Sequence, residues 1–104
     1  MKMLTVGGYF PAAGLNTIRK VKEAYERLNP GDRVDMEYVD VVGGPVIARE
    51  RLVVRAIAYG SFSAILDAHW ETNHGGWSSH IGGCRVIRDL YGTDEGEFCA
   101  IYFY

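Results

Sequence analysis

The sequence has little cysteine, no long apolar run and no strong excess of either charge. Only two of its 104 residues are cysteines, Cys84 and Cys99, and they do not form a CxxC pair, so no disulfide framework is expected. The formal net charge of -2 argues against binding nucleic acid through overall charge, although it allows a local basic patch. No apolar run reaches the roughly 18 residues of a membrane span. These absences favour a reduced, cytoplasmic protein with structural thiols and no membrane partner.

Length and composition indicate one folded domain. A chain of 104 residues, of which 48% are hydrophobic, can bury one modest core. The opening Met-Lys-Met-Leu-Thr-Val is too short an apolar stretch for a signal peptide. We find no internal repeat, low-complexity tract or linker, and we therefore expect a single domain over residues 1–104.

Hydrophobic periodicity predicts the element order β-α-β-β-α-α-β. Long strands in direct succession favour an α+β domain built on a small, partly closed mixed barrel, in which the apolar final strand is not an edge. The third helix is predicted with Ile87, Leu90 and Tyr91 inward and with Gly92 at its end. The predicted strands cover about residues 4–6, 34–39, 46–59 and 97–104, and the predicted helices cover about 17–28, 62–70 after a Ser61 cap, and 84–91.

The strand predicted over residues 46–59 carries three arginines of one parity. Arg49, Arg51 and Arg55 occupy odd-numbered positions, as does Tyr59, and the two-residue period of a strand predicts one face for all four. Such a face suits RNA phosphates and a stacked base. It also fits an ordinary solvated sheet surface, because Glu50 and other acids lie nearby in the sequence.

All three histidines and both tryptophans fall between Asp67 and His80. This mixture of imidazoles, amides, carboxylates and large rings is costly to bury without partners, so the segment is the first place to look for a site. Its histidine spacing, His-x4-His-x5-His, differs from the i, i+4 pair of helical zinc sites, and we predict neither a metal nor another cofactor. The pairs Gly75-Gly76 and Gly82-Gly83 predict turns, or the hinges of a lid.

Three further motifs occur in a recognisable order. They are the turn Asn29-Pro30-Gly31-Asp32-Arg33-Val34, the strand and helix start Leu52–Phe62, and the stretch Val86–Gly92 followed by Glu97–Phe103. Together they resemble the ASCH domains, relatives of the PUA RNA-binding fold, and in particular the small bacterial ASCH proteins that hydrolyse N4-acetylcytidine. The resemblance covers roughly residues 14–104. It implies a small PUA/ASCH-like mixed β-barrel with two or three flanking helices.

The resemblance also implies catalytic residues. The hydrolase branch carries a Lys, a Thr three residues later, an Arg two beyond that, and a distant Glu near an Asn. Alignment on Thr17-Ile18-Arg19 supplies the Thr and the Arg, whereas alignment on Lys20-x-x-Glu23 supplies the lysine and an acidic residue. In amide hydrolysis Thr17 would be the nucleophile and Lys20 its base, if burial lowered the pKa of that lysine. Each also reads as an ordinary helix residue.

The remaining candidate residues would bind and orient a substrate. Glu71 is the predicted distant acid, which would accept the cytosine amine or move a proton, and it equally fits a solvated helix end. Tyr59 or Trp70 would stack on a base, in a pocket bounded by the central strand and the His69–His80 segment. The complete predicted set is Glu71, Lys20 and Thr17 for catalysis, and Arg19, Tyr59, Trp70, Asn73 and Arg55 for substrate binding.

Three classes of function are therefore expected. The first is an ASCH-like domain that holds a nucleoside or RNA and releases cytidine from N4-acylated cytidines. The second is a non-catalytic module that binds RNA or modified nucleotides. The third is a phage or mobile-element inhibitor whose partner is another protein. The sequence predicts neither the acyl group nor the oligomeric state.

Overall fold

A computed structural model describes residues 2–7, 15–21, 28–39 and 43–104 of the chain. Within these ranges its elements, in chain order, are strands β1 (Lys2–Gly7), β2 (Asn16–Lys20), β3 (Arg33–Val39) and β4 (Val46–Ser61), helix α1 (Phe62–His69), a short 3₁₀ turn (Trp70–Thr72), helix α2 (His80–Tyr91) and strand β5 (Glu97–Phe103).

The strands form one sheet in the order β1-β3-β4-β5-β2. Strand β1 pairs with β3 in parallel, and β3, β4, β5 and β2 are antiparallel to their neighbours. These four antiparallel strands curl into a half-barrel, which together with α1 and α2 makes an α+β fold. Strand β5 lies between β4 and β2, which confirms that the apolar final strand is not an edge.

The helix predicted over residues 17–28 is wrong in its first part. Residues Asn16–Lys20 form a strand that pairs antiparallel with β5, from Asn16 opposite Tyr102 to Lys20 opposite Phe98. The segment contains one apolar residue, Ile18, so hydrophobic spacing within it does not decide between helix and strand. Hydrogen bonding to β5 is a tertiary interaction that overrides local helix preference. Residues 22–27 of the predicted helix, including Glu23, lie outside the described ranges.

Two hydrophobic clusters lie on opposite faces of strand β5. The first cluster defines what we name the inner face of the sheet, and the second, with α1 and α2 packed on it, defines the helix face. Strand β5 contributes side chains to both clusters, because alternate residues of a strand point to opposite faces. Cys99, Ile101 and Phe103 point to the inner face, whereas Phe98 and Ala100 point to the helix face. The remaining buried members are Leu28, Val34, Met36, Tyr38, Leu52 and Val54 on the inner face, and Ile18, Phe62, Ile65, Leu66 and Ile87 on the helix face.

A bulge in strand β4 reverses its alternation. Val54 pairs with Phe103 but Ala56 pairs with Tyr102, so the residue between them is extra. Before the bulge the even-numbered Val54 belongs to the inner face, and after it the odd-numbered Tyr59 packs there. The prediction that the three arginines and Tyr59 share one face is therefore wrong for Tyr59.

Both helices begin at the residue after a serine cap. The Ser61 hydroxyl accepts a hydrogen bond from the Ala64 N–H, as predicted for α1. Ser79 caps α2 in the same way, so this helix begins at His80, earlier than predicted. It ends before Gly92, whose φ of 70° gives the left-handed conformation expected there. Leu90, predicted inward, is 54% exposed, because Ile87 and Tyr91 already fill the side of α2 that faces the sheet.

Glycines in and near α2 make room for the Trp77 indole. The pair Gly82-Gly83, predicted as a turn or hinge, lies inside the helix. A Cβ atom on Gly83 would overlap Trp77 Cε3, and one on Gly75 would lie 2.9 Å from Trp77 Nε1. Because real Cβ atoms do not come so close, these two glycines let the indole lie against the backbone.

We expect Gly83→Ala to lower the free energy of unfolding by about 2 kcal/mol, since the added methyl group overpacks the Trp77 site. Urea unfolding measures the change. Gly82→Ala is the matched control, because its Cβ meets only the Ser79 hydroxyl, at 3.1 Å. Equal destabilisation by the two variants would contradict this packing.

Within the described residues, neither helix has the length and apolar character that crossing a bilayer requires.

Candidate functional site

Strand β2 divides the predicted catalytic residues between the two faces of the sheet. Thr17 pairs with Ile101 and Arg19 pairs with Cys99, so both point to the inner face. Lys20 pairs with Phe98 on the helix face, where its ammonium nitrogen lies 5.7 Å from the Phe98 ring centre. The structure therefore brings Thr17 and Arg19 together and separates both from Lys20.

Tyr59 joins Thr17 and Arg19 on the inner face. Cys99 of β5 pairs with Tyr59 on one side and with Arg19 on the other. Tyr59, Cys99 and Arg19 therefore form one row across the sheet. The Tyr59 hydroxyl donates a hydrogen bond to the Leu28 carbonyl oxygen at 3.1 Å, which fixes the ring. Thr17 is buried, whereas Arg19 and Tyr59 are each partly exposed.

His74 reaches this face from the segment that follows α1. Its backbone N–H donates to the Asn16 carbonyl oxygen at 2.9 Å, next to a parallel bridge between Asn16 and Asn73. Burial, reinforced by the positive charge of Arg19, lowers the pKa of His74 to about 4. The imidazole is therefore neutral at physiological pH, and one ring nitrogen can donate while the other accepts a hydrogen bond.

Asn16 anchors the segment that carries His74. Its amide nitrogen lies 2.9 Å from the His69 carbonyl oxygen, 2.9 Å from the Thr72 hydroxyl and 3.1 Å from the Tyr102 hydroxyl. Its amide oxygen accepts a hydrogen bond from the Asn73 amide at 3.2 Å. Because Asn16 is 1% exposed, these contacts replace water for a fully buried polar side chain.

Two predicted pocket residues complete this network. The Asn73 amide oxygen accepts from the Gly75 N–H at 2.8 Å, so both polar ends of a predicted substrate-binding residue have partners within the chain. The His69 Nδ1 atom lies 2.7 Å from the Tyr102 hydroxyl, and burial lowers the pKa of His69. In this arrangement Asn73 and His69 hold the segment to β2 and β5.

The other predicted residues lie apart from the inner face. The Lys20 ammonium group donates to the Glu95 carbonyl oxygen at 2.7 Å. Glu71 is exposed in the 3₁₀ turn. Trp70 packs on the helix-face cluster, and the Arg55 guanidinium carbon lies 5.2 Å from the Tyr102 ring centre.

The predicted arginine surface is largely paired with acids. Arg49 contacts Glu37 at 2.9 Å and Arg51 contacts Asp35 at 3.2 Å, in each case across the β3–β4 pair. Each pair cancels a positive charge, which leaves less charge for phosphate groups than the sequence alone indicates.

The three histidines of the Asp67–His80 segment have separate surroundings. His69 contacts Tyr102, His74 is near Arg19, and His80 contacts Asp67. Among the residues that the structure describes, no three His, Cys, Asp or Glu side chains are grouped in a way that could hold a metal ion.

Comparison with protein-family models, with curated proteins and with solved structures found no match to this chain.

Sequence reasoning missed two features of this site. It identified His74 only as one of several histidines, and it gave Asn16 no part in a site. The backbone bridge between Asn16 and Asn73 joins residues far apart in the chain, and no local pattern indicates it. The available signal was the run Glu71-Thr72-Asn73-His74, whose polar residues directly follow an apolar helix.

Proposed function

We propose that the inner face around Thr17, Arg19, Tyr59 and His74 binds a nucleoside, or one base of an RNA, in an ASCH-like domain. The observation that carries this proposal is the row Tyr59–Cys99–Arg19, with Thr17 in the next register position. It places an aromatic ring, a cation and a hydroxyl on one face. Flexible RNA and nucleosides are recognised by such a combination of stacking and hydrogen bonding.

Each polar group has a distinct part in this proposal. The Arg19 guanidinium offers several fixed donors to a base carbonyl or a phosphate oxygen. The neutral His74 imidazole both donates and accepts, which matches the donor and acceptor edge of a base. The Tyr59 ring, held by its bond to Leu28, supplies a fixed surface for stacking.

The two candidate general bases, His74 and Lys20, favour binding over hydrolysis. A general base works best when its pKa is near the working pH, and a histidine with a pKa of about 4 is a weak proton acceptor at neutral pH. Lys20, the predicted base, points to the opposite face from Thr17. The inner face therefore suits recognition better than acyl transfer.

An amidohydrolase that acts on N4-acylated cytidines is the second candidate. The observation in its favour is that Thr17 and Arg19, the two residues that the ASCH resemblance carries over, share the inner face. In this alternative the Thr17 oxygen bonds to the acyl carbon while Glu71 takes the hydroxyl proton, and Glu71 then gives that proton to the cytosine amine as the amide C–N bond breaks. Water hydrolyses the resulting Thr17 ester to a carboxylic acid and restores the hydroxyl. This sequence requires the exposed 3₁₀ turn to close over the bound nucleoside.

Isothermal titration calorimetry tests the binding function. We expect cytidine or N4-acetylcytidine to bind, and Arg19→Gln to weaken binding by at least about tenfold, because a charged hydrogen bond is lost. Arg49→Gln is the matched control and should leave the affinity unchanged. Absence of binding by the unaltered protein, or equal effects of the two variants, would overturn the proposal.

The same samples report on hydrolysis. Release of cytidine from N4-acetylcytidine, abolished by Glu71→Gln, would establish the second candidate. Binding without release would leave the recognition function alone.

A further inference from the structure

A groove between α1 and α2 brings together reactive groups that the inner face does not use. Its cavity has a volume of about 310 Å³, and its lining includes Asp67 from α1, and His80, Cys84 and Arg88 from α2. The three α2 residues follow one another at intervals of four, which places them on one side of the helix. A volume of this size, at the lower end for ligand pockets, admits a small molecule.

The polar groups of the groove form a thiol–imidazole–carboxylate series. His80 Nε2 lies 2.6 Å from the Asp67 carboxylate, so Nε2–H can donate to that oxygen. The Cys84 sulfur lies 3.9 Å from His80 Nδ1 and 3.7 Å from Nε2. With the Nε2 proton directed at Asp67, Nδ1 carries the free lone pair. The nearly equal distances place the sulfur beside the ring rather than on that lone pair, so a rotation of the Cys84 or His80 side chain is needed to bring the thiol to Nδ1 for proton transfer.

The same groove is bordered by groups that can stabilise a developing negative charge. Ser61 and Phe62, at the start of α1, belong to its lining. Backbone N–H groups in the first turn of a helix have no acceptor within that helix and favour negative charge. The Arg88 guanidinium carbon lies 5.0 Å from the Phe62 ring centre and its Nε contacts Asp94 at 3.2 Å, so this cation is held at the rim.

We propose that this groove is a second reactive site, in which Cys84 is the nucleophile towards small acyl esters or thioesters. In the first step the Cys84 sulfur bonds to the acyl carbon while His80 Nδ1 takes the thiol proton. The imidazolium then gives that proton to the departing alkoxide or thiolate, and the bond from the acyl carbon to the leaving group breaks. Water then hydrolyses the Cys84 thioester, yielding a carboxylic acid and restoring the thiol.

The electrostatics of the groove keep the resting thiol protonated. Burial raises the pKa of Cys84, Arg88 opposes this rise, and Asp67 adds to it. The charged and titratable groups of the lining are Asp67 on α1, His80 and Arg88 on α2, and Asp94 in the loop before β5. Because a protonated thiol is a weak nucleophile, the reaction depends on proton transfer to His80 within the step itself.

The test uses p-nitrophenyl acetate as the acyl donor. We expect mass spectrometry of peptides to find the acetyl group on Cys84, and the buried Cys99 serves as the internal reference. Cys84→Ser should remove this adduct without changing cytidine binding, so failure here is distinct from failure of the inner-face proposal.

If the acetylation rate depends on His80 and Asp67, the groove assists the reaction. If it does not, Cys84 is only an accessible thiol. We expect His80→Gln to slow acetylation at least about a hundredfold, because the substitution removes the group that takes the thiol proton. Asp67→Asn should also slow it, whereas Asp89→Asn, an exposed control on α2, should not. Absence of an adduct on Cys84, or a rate that neither His80→Gln nor Asp67→Asn changes in a folded protein, would overturn the proposal.

Discussion

Asn16→Ala is expected to lower the free energy of unfolding by about 3 kcal/mol. The substitution removes a buried amide that contacts the His69 carbonyl oxygen and the hydroxyls of Thr72 and Tyr102. It also leaves the buried Asn73 amide without its Asn16 partner. Buried groups that lose their hydrogen bonds pay the full cost of their removal from water.

Urea unfolding of Asn16→Ala and Asn29→Ala gives a matched comparison, because Asn29 is exposed. The control should change stability by no more than about 0.5 kcal/mol. Hydrogen exchange adds a local measurement, since the His74 N–H bonds to the Asn16 carbonyl oxygen and should exchange faster when the segment loosens. Similar stabilities for the two variants would contradict the anchoring role of Asn16.

Lowering the pH from about 7.5 to about 4.5 is expected to cost the protein about 2.5 kcal/mol through His74 alone. Its pKa falls from 6.5 to about 4 on folding, because burial and then the charge of Arg19 disfavour the imidazolium. Between these values the unfolded chain binds the proton more readily than the folded chain. The stability contribution is therefore complete above about pH 6.5 and is lost as the pH falls towards 4.

The measurement is the difference between the unaltered protein and His74→Gln, each unfolded with urea at both pH values. Other titrating groups, including His69, contribute to both proteins and cancel in this difference. We expect the variant to lose about 2.5 kcal/mol less than the unaltered protein on acidification. Parallel losses in the two proteins would show that His74 ionises as freely in the folded chain as in the unfolded one.

Much of the fold follows from local signals in the sequence. The alternation over residues 34–39 predicts β3, and the aromatic and β-branched residues of 97–104 predict β5. The Ser61 cap and Gly92 predict one end of each helix. These features depend on residues close together in the chain. A local pattern is sufficient for them because side-chain periodicity and caps act within a few residues.

The errors arise where a distant part of the chain decides the structure. Residues Asn16–Lys20 become a strand because β5 offers them hydrogen bonds. The bulge between Val54 and Ala56 changes which residues of β4 share a face, and no composition signal marks it. Leu90 has the spacing of a buried residue, but the sheet-facing side of α2 is already filled.

The candidate site shows the same division. The sequence analysis selects Thr17 and Arg19 together. Because they are two residues apart, they lie on the same face once the segment is a strand rather than a helix. The parity of a strand also separates Thr17 from Lys20, which a correct assignment of β2 would have shown at once. The placement of His74 depends on the Asn16–Asn73 bridge and could be found only from the structure.

The proposal that the inner face binds a nucleoside is tested most directly by NMR titration of the isotope-labelled protein with cytidine. We predict that the largest amide shifts occur at Thr17, Arg19, Tyr59, Cys99 and His74, with little change in the groove between α1 and α2. Shifts centred on that groove, shifts centred on the paired arginines of β4, or no saturable shifts at all would contradict a nucleoside site on the inner face.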